Sequence, residues 1–147
     1  MNLDVHWHLP GRIIYSYDVL SVSERIERNR EILRLLETEG QPPKVHLLID
    51  FSSTGHGNYI LGLQDMIDRQ ETNEELKQLT KQVAEHPLLG WVVSIGEQNQ
   101  SLTAAATVLA TKLKYRRRAV DTLEEALDFL KKADASLPLE PKRREDS

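Results

Sequence analysis

Apolar and polar positions along this chain repeat with two different periods, and the changes between them lay out the elements. Val5, Trp7 and Leu9 alternate with His6 and His8, and residues 12–17 form a second short β-type run. Alternation by two sends successive side chains to opposite faces of a strand. Pro10-Gly11 between the runs is a turn signal that joins antiparallel strands. Ser21 with Glu24 three residues on forms a capping box. Val22, Ile26, Asn29, Leu33 and Leu36 then recur at helical spacing, which predicts a helix over 22–38, stopped by Gly40 and Pro42-Pro43.

From Lys44 to Asp50 the pattern becomes almost continuously apolar, through Val45, Leu47, Leu48 and Ile49, as in a strand covered on both faces. This strand should be central. Tyr59, Leu63, Met66 and Ile67 predict a short helix starting near Asn58. A Thr72-x-x-Glu75 capping box opens another through Leu76, Leu79 and Val83, ended by His86-Pro87. Residues 89–95 read as a second buried strand and 96–100 as a polar loop. Ser101 can cap a helix with a stripe of Leu102, Ala105, Ala106, Leu109 and Leu113. A strand over 115–120 carries Arg116-Arg117-Arg118. Asp121 or Thr122 then caps a last helix, with Leu123, Ala126, Leu127 and Leu130 inward.

After the hairpin each strand is separated from the next by a helix, so right-handed crossovers predict one α/β domain. Its sheet should be mixed and about five-stranded, mostly parallel with an antiparallel N-terminal strand, and carry four to five helices. The domain is expected over 1–135. Residues 136–147, with Pro138, Pro141 and a run of charges from Lys142 to Asp146, are expected to form a disordered tail.

Composition narrows the function classes. At 147 residues one core suffices, and 39% hydrophobic with 29% charged residues is ordinary for a globular chain. A net charge of −4 argues against nucleic acid as the main partner, since such binding rests on clustered Lys and Arg. The absence of cysteine excludes disulfides, thiolate metal sites and Cys nucleophiles. No run approaches the roughly 18 apolar residues that span a bilayer, and the N-terminus, with Asp4, His6 and His8, lacks a signal-peptide pattern. The expectation is a cytoplasmic protein with no membrane partner.

The order of elements resembles the SpoIIAA-like fold, shared by STAS domains (anti-sigma factor antagonists) and small uncharacterised relatives. Val45-His46-Leu47-Leu48-Ile49-Asp50 is similar to the central strand of that fold, a hydrophobic run ending in Asp. Thr122-Leu123-Glu124-Glu125-Ala126-Leu127-Asp128-Phe129-Leu130 is similar to its closing helix. The resemblance covers about residues 1–133. It implies a non-enzymatic regulatory module that works through contact with a protein partner and uses no cofactor. In STAS antagonists the loop after the central strand leads to a phosphorylated serine in an Asp-Ser-Ser-Gly type motif. Ser52-Ser53-Thr54-Gly55 is the nearest match here and lies closer to the strand than in the antagonists.

Open α/β sheets hold ligands beyond the carboxyl ends of their parallel strands, which directs attention to the loops 50–58 and 95–101. Asp50, Ser52, Ser53, Thr54, His56 and Asn58 form a candidate phosphoacceptor or partner-contact loop. The alternative is that its hydroxyls cap orphan backbone N–H groups and that Gly55 and Gly57 take positive φ. Asp50 and His56, with Ser52 or Ser53, also invite a hydrolase reading, but no Gly-x-Ser-x-Gly elbow accompanies them. Tyr59, Leu63, Met66 and Trp91 are candidates to line an apolar pocket between the sheet and the helices of 59–85, so the alternative function is binding of a small, lipid-like ligand. His6 and His8 share a strand face, but His46, two strand spacings away, lies roughly 9–10 Å off, so no metal site is expected. Arg116-Arg117-Arg118 could meet phosphate or could guard an edge strand against pairing, and an exposed edge would suit a homodimer.

Overall fold

A computed structural model of the chain describes residues 5–18, 21–52, 73–96 and 100–139. Its elements, in chain order, are β1 (Val5–Leu9), β2 (Ile13–Tyr17), α1 (Val22–Thr38), β3 (Val45–Asp50), α2 (Glu74–Ala84), β4 (Leu89–Ile95), α3 (Gln100–Leu113), β5 (Arg116–Val120) and α4 (Leu123–Ala133). The five strands form one mixed sheet in the order β1-β2-β3-β4-β5. β1 pairs antiparallel with β2 through a turn in which Gly11 takes φ 77°, a conformation open to glycine at little cost. Every other neighbouring pair is parallel, in registers such as Ile14↔Leu47, Leu48↔Val93 and Ser94↔Ala119. This is the expected α/β architecture, with four helices among the described residues.

Because the parallel strands follow one another in sequence across the sheet, each right-handed crossover steps in the same direction and leaves its helix on the same face. α1 and α2 accordingly cover one face, packing Ile32, Leu35, Leu36 and Val83 against Ile14, Val45, Leu47 and Val92. α4 covers the other, where Ala126 and Leu130 meet Ile13, Tyr15, Leu48, Val93 and Ile95. β3 is therefore clad on both sides, with Val45 and Leu48 both fully buried. β5 and β1 are the edges.

Local chemistry sets the ends of the elements. Ser21 caps α1, its hydroxyl accepting from the Glu24 N–H at 3.1 Å, and Thr122 caps α4 by accepting from the Glu125 N–H at 3.1 Å. α2 is capped by Asn73, whose side chain accepts from the Leu76 N–H at 3.0 Å, one residue after the Thr72 expected from the sequence. α3 begins at Gln100, so Ser101 lies inside it. The inward face of α1 is rotated from its expected stripe: Arg25, Arg28 and Asn29 are buried beside Ile32, Leu35 and Leu36. The helix expected near Asn58 falls outside the described residues.

Packing does not stop at Ala135, where the sequence suggests a disordered tail begins. Leu137 is buried in the α4-side core, and Ser136 is hydrogen-bonded to Arg12. No helix among the described residues is long and apolar enough to cross a membrane.

Since Leu48 is wholly buried at the centre of the sheet, Leu48→Ala should cost about 2–5 kcal/mol. Val108→Ala, on a side chain left largely exposed, should stay within about 0.5 kcal/mol. Urea unfolding with an unchanged slope checks both.

Candidate functional site

At the carboxyl end of β3, Asp50 is buried on the same sheet face as Tyr15. One of its carboxylate oxygens accepts from the Ser52 N–H at 2.8 Å, an Asx turn that bends the chain out of the strand, and the other accepts from the Tyr15 hydroxyl. Burial alone would push the Asp50 carboxyl up, but the hydrogen bonds from Ser52 and Tyr15 outweigh it and hold the group below the usual range. The Tyr15 phenol is pushed up by burial and then by the Asp50 carboxylate. Asp50 is thus committed to shaping the turn. Ser52 is exposed, and Ser53, Thr54, His56 and Asn58 lie outside the described residues.

Trp91 lies on the sheet face opposite to α1 and α2. One extra residue in β4 between Leu89 and Val92, opposite Val45–Leu47, puts Leu89 and Val92 on the α1/α2 face and sends Trp91 to the other. There it meets Phe129 edge-on, with centroids 4.8 Å apart, and Arg116 lies over its ring at 5.7 Å. Arg118 sits over Phe129 in the same way at 5.2 Å. The arginine run thus stacks two of its members on aromatics along an edge strand. Tyr59, Leu63 and Met66, the other members of the expected pocket, lie outside the described residues. His6 and His8 are exposed on β1, with His6 stacked on Tyr15 at 5.5 Å. Among the described residues no group of three or more acidic or imidazole side chains could hold a metal ion.

His46 takes a role that its position in an apolar strand does not announce. Its Nε2 lies 2.8 Å from Asp134 Oδ2, and its Nδ1 accepts from the Trp91 N–H at 3.0 Å. Accepting at Nδ1 places the proton on Nε2, where it donates to Asp134. Asp134 also receives Arg12 Nη2 at 3.0 Å and the Ser136 hydroxyl at 2.5 Å, while Arg12 Nε donates to the Lys44 carbonyl at 2.8 Å. Ser, His and Asp meet here, but the imidazole has no nitrogen left for a nucleophile and the serine bonds the carboxylate. The cluster is a clasp that ties the segment after α4 to the amino-terminal ends of β2 and β3. Burial lowers the His46 pKa against the opposing pull of Asp134. Gly90 is part of the fit, since a Cβ there would stand 2.5 Å from His46 Nδ1.

A hollow lies on the other face. A cavity of about 390 Å³ opens between the sheet and α1, α2 and α3. Ile32, Leu47, Ile49, Val83, Val92 and Leu109 give it apolar walls. Its polar lining comes chiefly from α1 and the end of β2, where Asp18 faces two guanidinium groups. Arg25 Nη2 lies 3.2 Å from Asp18 Oδ1 and Arg28 Nη1 lies 3.1 Å from the same oxygen. Asn29 donates to the Thr80 hydroxyl at 3.2 Å, joining α1 to α2. Burial, followed by the neighbouring Arg25 charge, lowers the Arg28 pKa to about 10, with Asp18 opposing. Arg28 Nε is buried without a hydrogen-bond acceptor.

Asp18, Arg25 and Arg28 are the site residues that sequence reasoning missed. A signal was available: Arg25, Arg28, Asn29 and Ile32 follow i, i+3, i+4, i+7 spacing and so share one helix face. No protein-family model, curated protein or solved structure matches this chain. Fold and site together define an α/β protein with a sequentially ordered mixed sheet and an apolar, partly cationic cavity under its crossover helices.

Two outcomes follow from the clasp. A lowered imidazole pKa means that the fold prefers neutral His46. Its contribution is complete above the ordinary imidazole value near 6.5 and drains away as pH falls below it. Asp134, held low by the Ser136 and His46 bonds that outweigh its burial, acts only below the ordinary carboxyl value of 3.8. Between pH 7 and 5 the urea midpoint of the wild type should therefore fall more steeply than that of His46→Gln. Gly90→Ala should cost about 1–3 kcal/mol at pH 7 by overpacking against the ring, measured as a shift in the same midpoint.

Proposed function

We propose that the protein is a non-catalytic binding module of SpoIIAA-like type that takes up one small, mainly apolar molecule between the sheet and α1, α2 and α3. The observation that carries this reading is the cavity itself. Its volume of about 390 Å³ falls within the roughly 300–1,000 Å³ typical of small-molecule clefts. Apolar walls with a few converging polar groups supply burial for affinity and hydrogen bonds for orientation, as such clefts do. The sequentially wound sheet supports the SpoIIAA-like comparison as an analogy of fold, from which function does not follow.

A partner-contact role for the loop after β3 gains nothing from Asp50, whose carboxylate is spent on Ser52 and Tyr15. A hydrolytic role for His56 lies outside the described residues, and His46 adds nothing to it, since both of its nitrogens are engaged. The cavity, with the unpartnered Arg28 Nε in its lining, has unspent binding capacity among the described residues, and a cytoplasmic setting completes the proposal.

Native mass spectrometry of freshly purified full-length protein, with titration of the apolar dye anilinonaphthalene sulfonate and competition by octanol, tests it. Ile49→Phe and Val92→Trp, both placed in the cavity wall, should weaken octanol binding at least tenfold while the melting curve stays cooperative. A wild type that neither carries a co-purified molecule nor binds octanol would overturn the proposal, as would folded variants with unchanged octanol affinity.

A further inference from the structure

The cavity is apolar along most of its wall, yet one corner gathers buried charged side chains. Arg25 and Arg28 project from successive turns of α1 toward Asp18, and all three are buried. The Asp18 side chain is 1% exposed, and its Oδ1 receives both guanidinium groups. Its Oδ2 also accepts from Arg25 Nη2, at 3.4 Å, so Arg25 meets both oxygens while Arg28 reaches the carboxylate through Nη1 and Oδ1. Arg28 keeps one nitrogen unsatisfied. Its residue is 8% exposed, it lines the cavity, and its buried Nε has no acceptor. A buried charge without full hydrogen bonding is costly, and an incoming anion removes that cost as it binds. Arg117 of β5 and Tyr115 also line the cavity, each with interactions of its own, so a positive charge and a hydroxyl face the same space from the sheet side.

Resting on the reading that the cavity holds a small apolar molecule, we propose that this molecule is an anion, an apolar chain or ring bearing a single carboxylate, and that Arg28 receives the carboxylate. The location agrees with the chemistry. Asp18 directly follows β2 and the first turns of α1 run back from it, so the charged corner lies toward the carboxyl ends of the parallel strands, where α/β sheets hold ligands. From there Leu47, Ile49 and Val92 extend an apolar path for the rest of the ligand. Burial and the Arg25 charge weaken the hold of Arg28 on its proton, yet its pKa stays near 10 and the group remains cationic at neutral pH. A ligand carboxylate reaching Nε would supply the acceptor that Arg28 lacks.

The test compares octanoate with octanol, equal in chain length and different in charge, by isothermal titration calorimetry on the full-length protein at pH 7.5. The wild type should bind octanoate at least tenfold more tightly than octanol. Arg28→Met, which keeps an apolar stem of similar length, should lose at least tenfold in octanoate affinity and hold octanol within threefold. Arg28→Lys, retaining the charge without the planar fork, should fall between the two. Equal binding of acid and alcohol to the wild type overturns the proposal and leaves the apolar-ligand reading standing; this comparison requires no variant to fold. A folded Arg28→Met that weakens both ligands alike also overturns it. Binding of neither ligand to the wild type overturns the apolar-ligand reading and this proposal with it.

Discussion

β3 is buried on both faces, and the rest of the structure follows from that constraint. A strand clad on one side only can alternate apolar and polar residues, but Val45, Leu47 and Leu48 are all enclosed, so helices must lie on both sides of the sheet. The crossovers that return the chain to β3, β4 and β5 step in one direction, and α1, α2 and α3 lie on a single face, as crossovers of one hand require. The opposite face is left to the chain after β5. α4 and the segment through Leu137 close it, and Arg12, His46 and Asp134 hold that closure in place.

Two polar clusters sit toward opposite ends of the parallel strands, and they differ in how fully their groups are satisfied. At the amino-terminal ends, the His46 nitrogens, the Asp134 oxygens and the Arg12 guanidinium each have defined partners. A polar network in that state adds order and leaves little for a ligand. Toward the carboxyl ends, Asp18 serves two arginines and Arg28 retains a buried nitrogen with no acceptor. Incomplete satisfaction beside an apolar hollow is the condition under which a small anion gains most from entering. The contrast, drawn within one molecule, separates a polar cluster whose named groups are paired from one that retains an unpaired nitrogen.

Much of the architecture was legible before any tertiary contact was known. The period-2 runs, the Ser21 and Thr122 caps, the unbroken apolar stretch of β3 and the alternation of strand and helix are local properties, and each appears where the pattern places it. The capping of α2 by Asn73 in place of Thr72 is a small miss of the kind expected where two adjacent residues can both serve. The candidate site was far less legible. Asp50 and His46 both stand out in the sequence, but only the fold shows that one braces a turn and the other a clasp. Trp91 has the character of a pocket residue, and only the register shift in β4 shows that it faces α4.

By itself, then, the sequence determined the elements, their order and the centrality of β3, because hydrophobic periodicity and capping act over a few residues and are written in neighbouring positions. The tertiary structure alone decided which charges are buried together. His46 and Asp134 are 88 residues apart. Arg28 reads as an ordinary surface arginine until α1 is rolled onto the sheet beside Asp18. Burial, partnership and pKa are properties of surroundings assembled from distant segments, and no local pattern carries them.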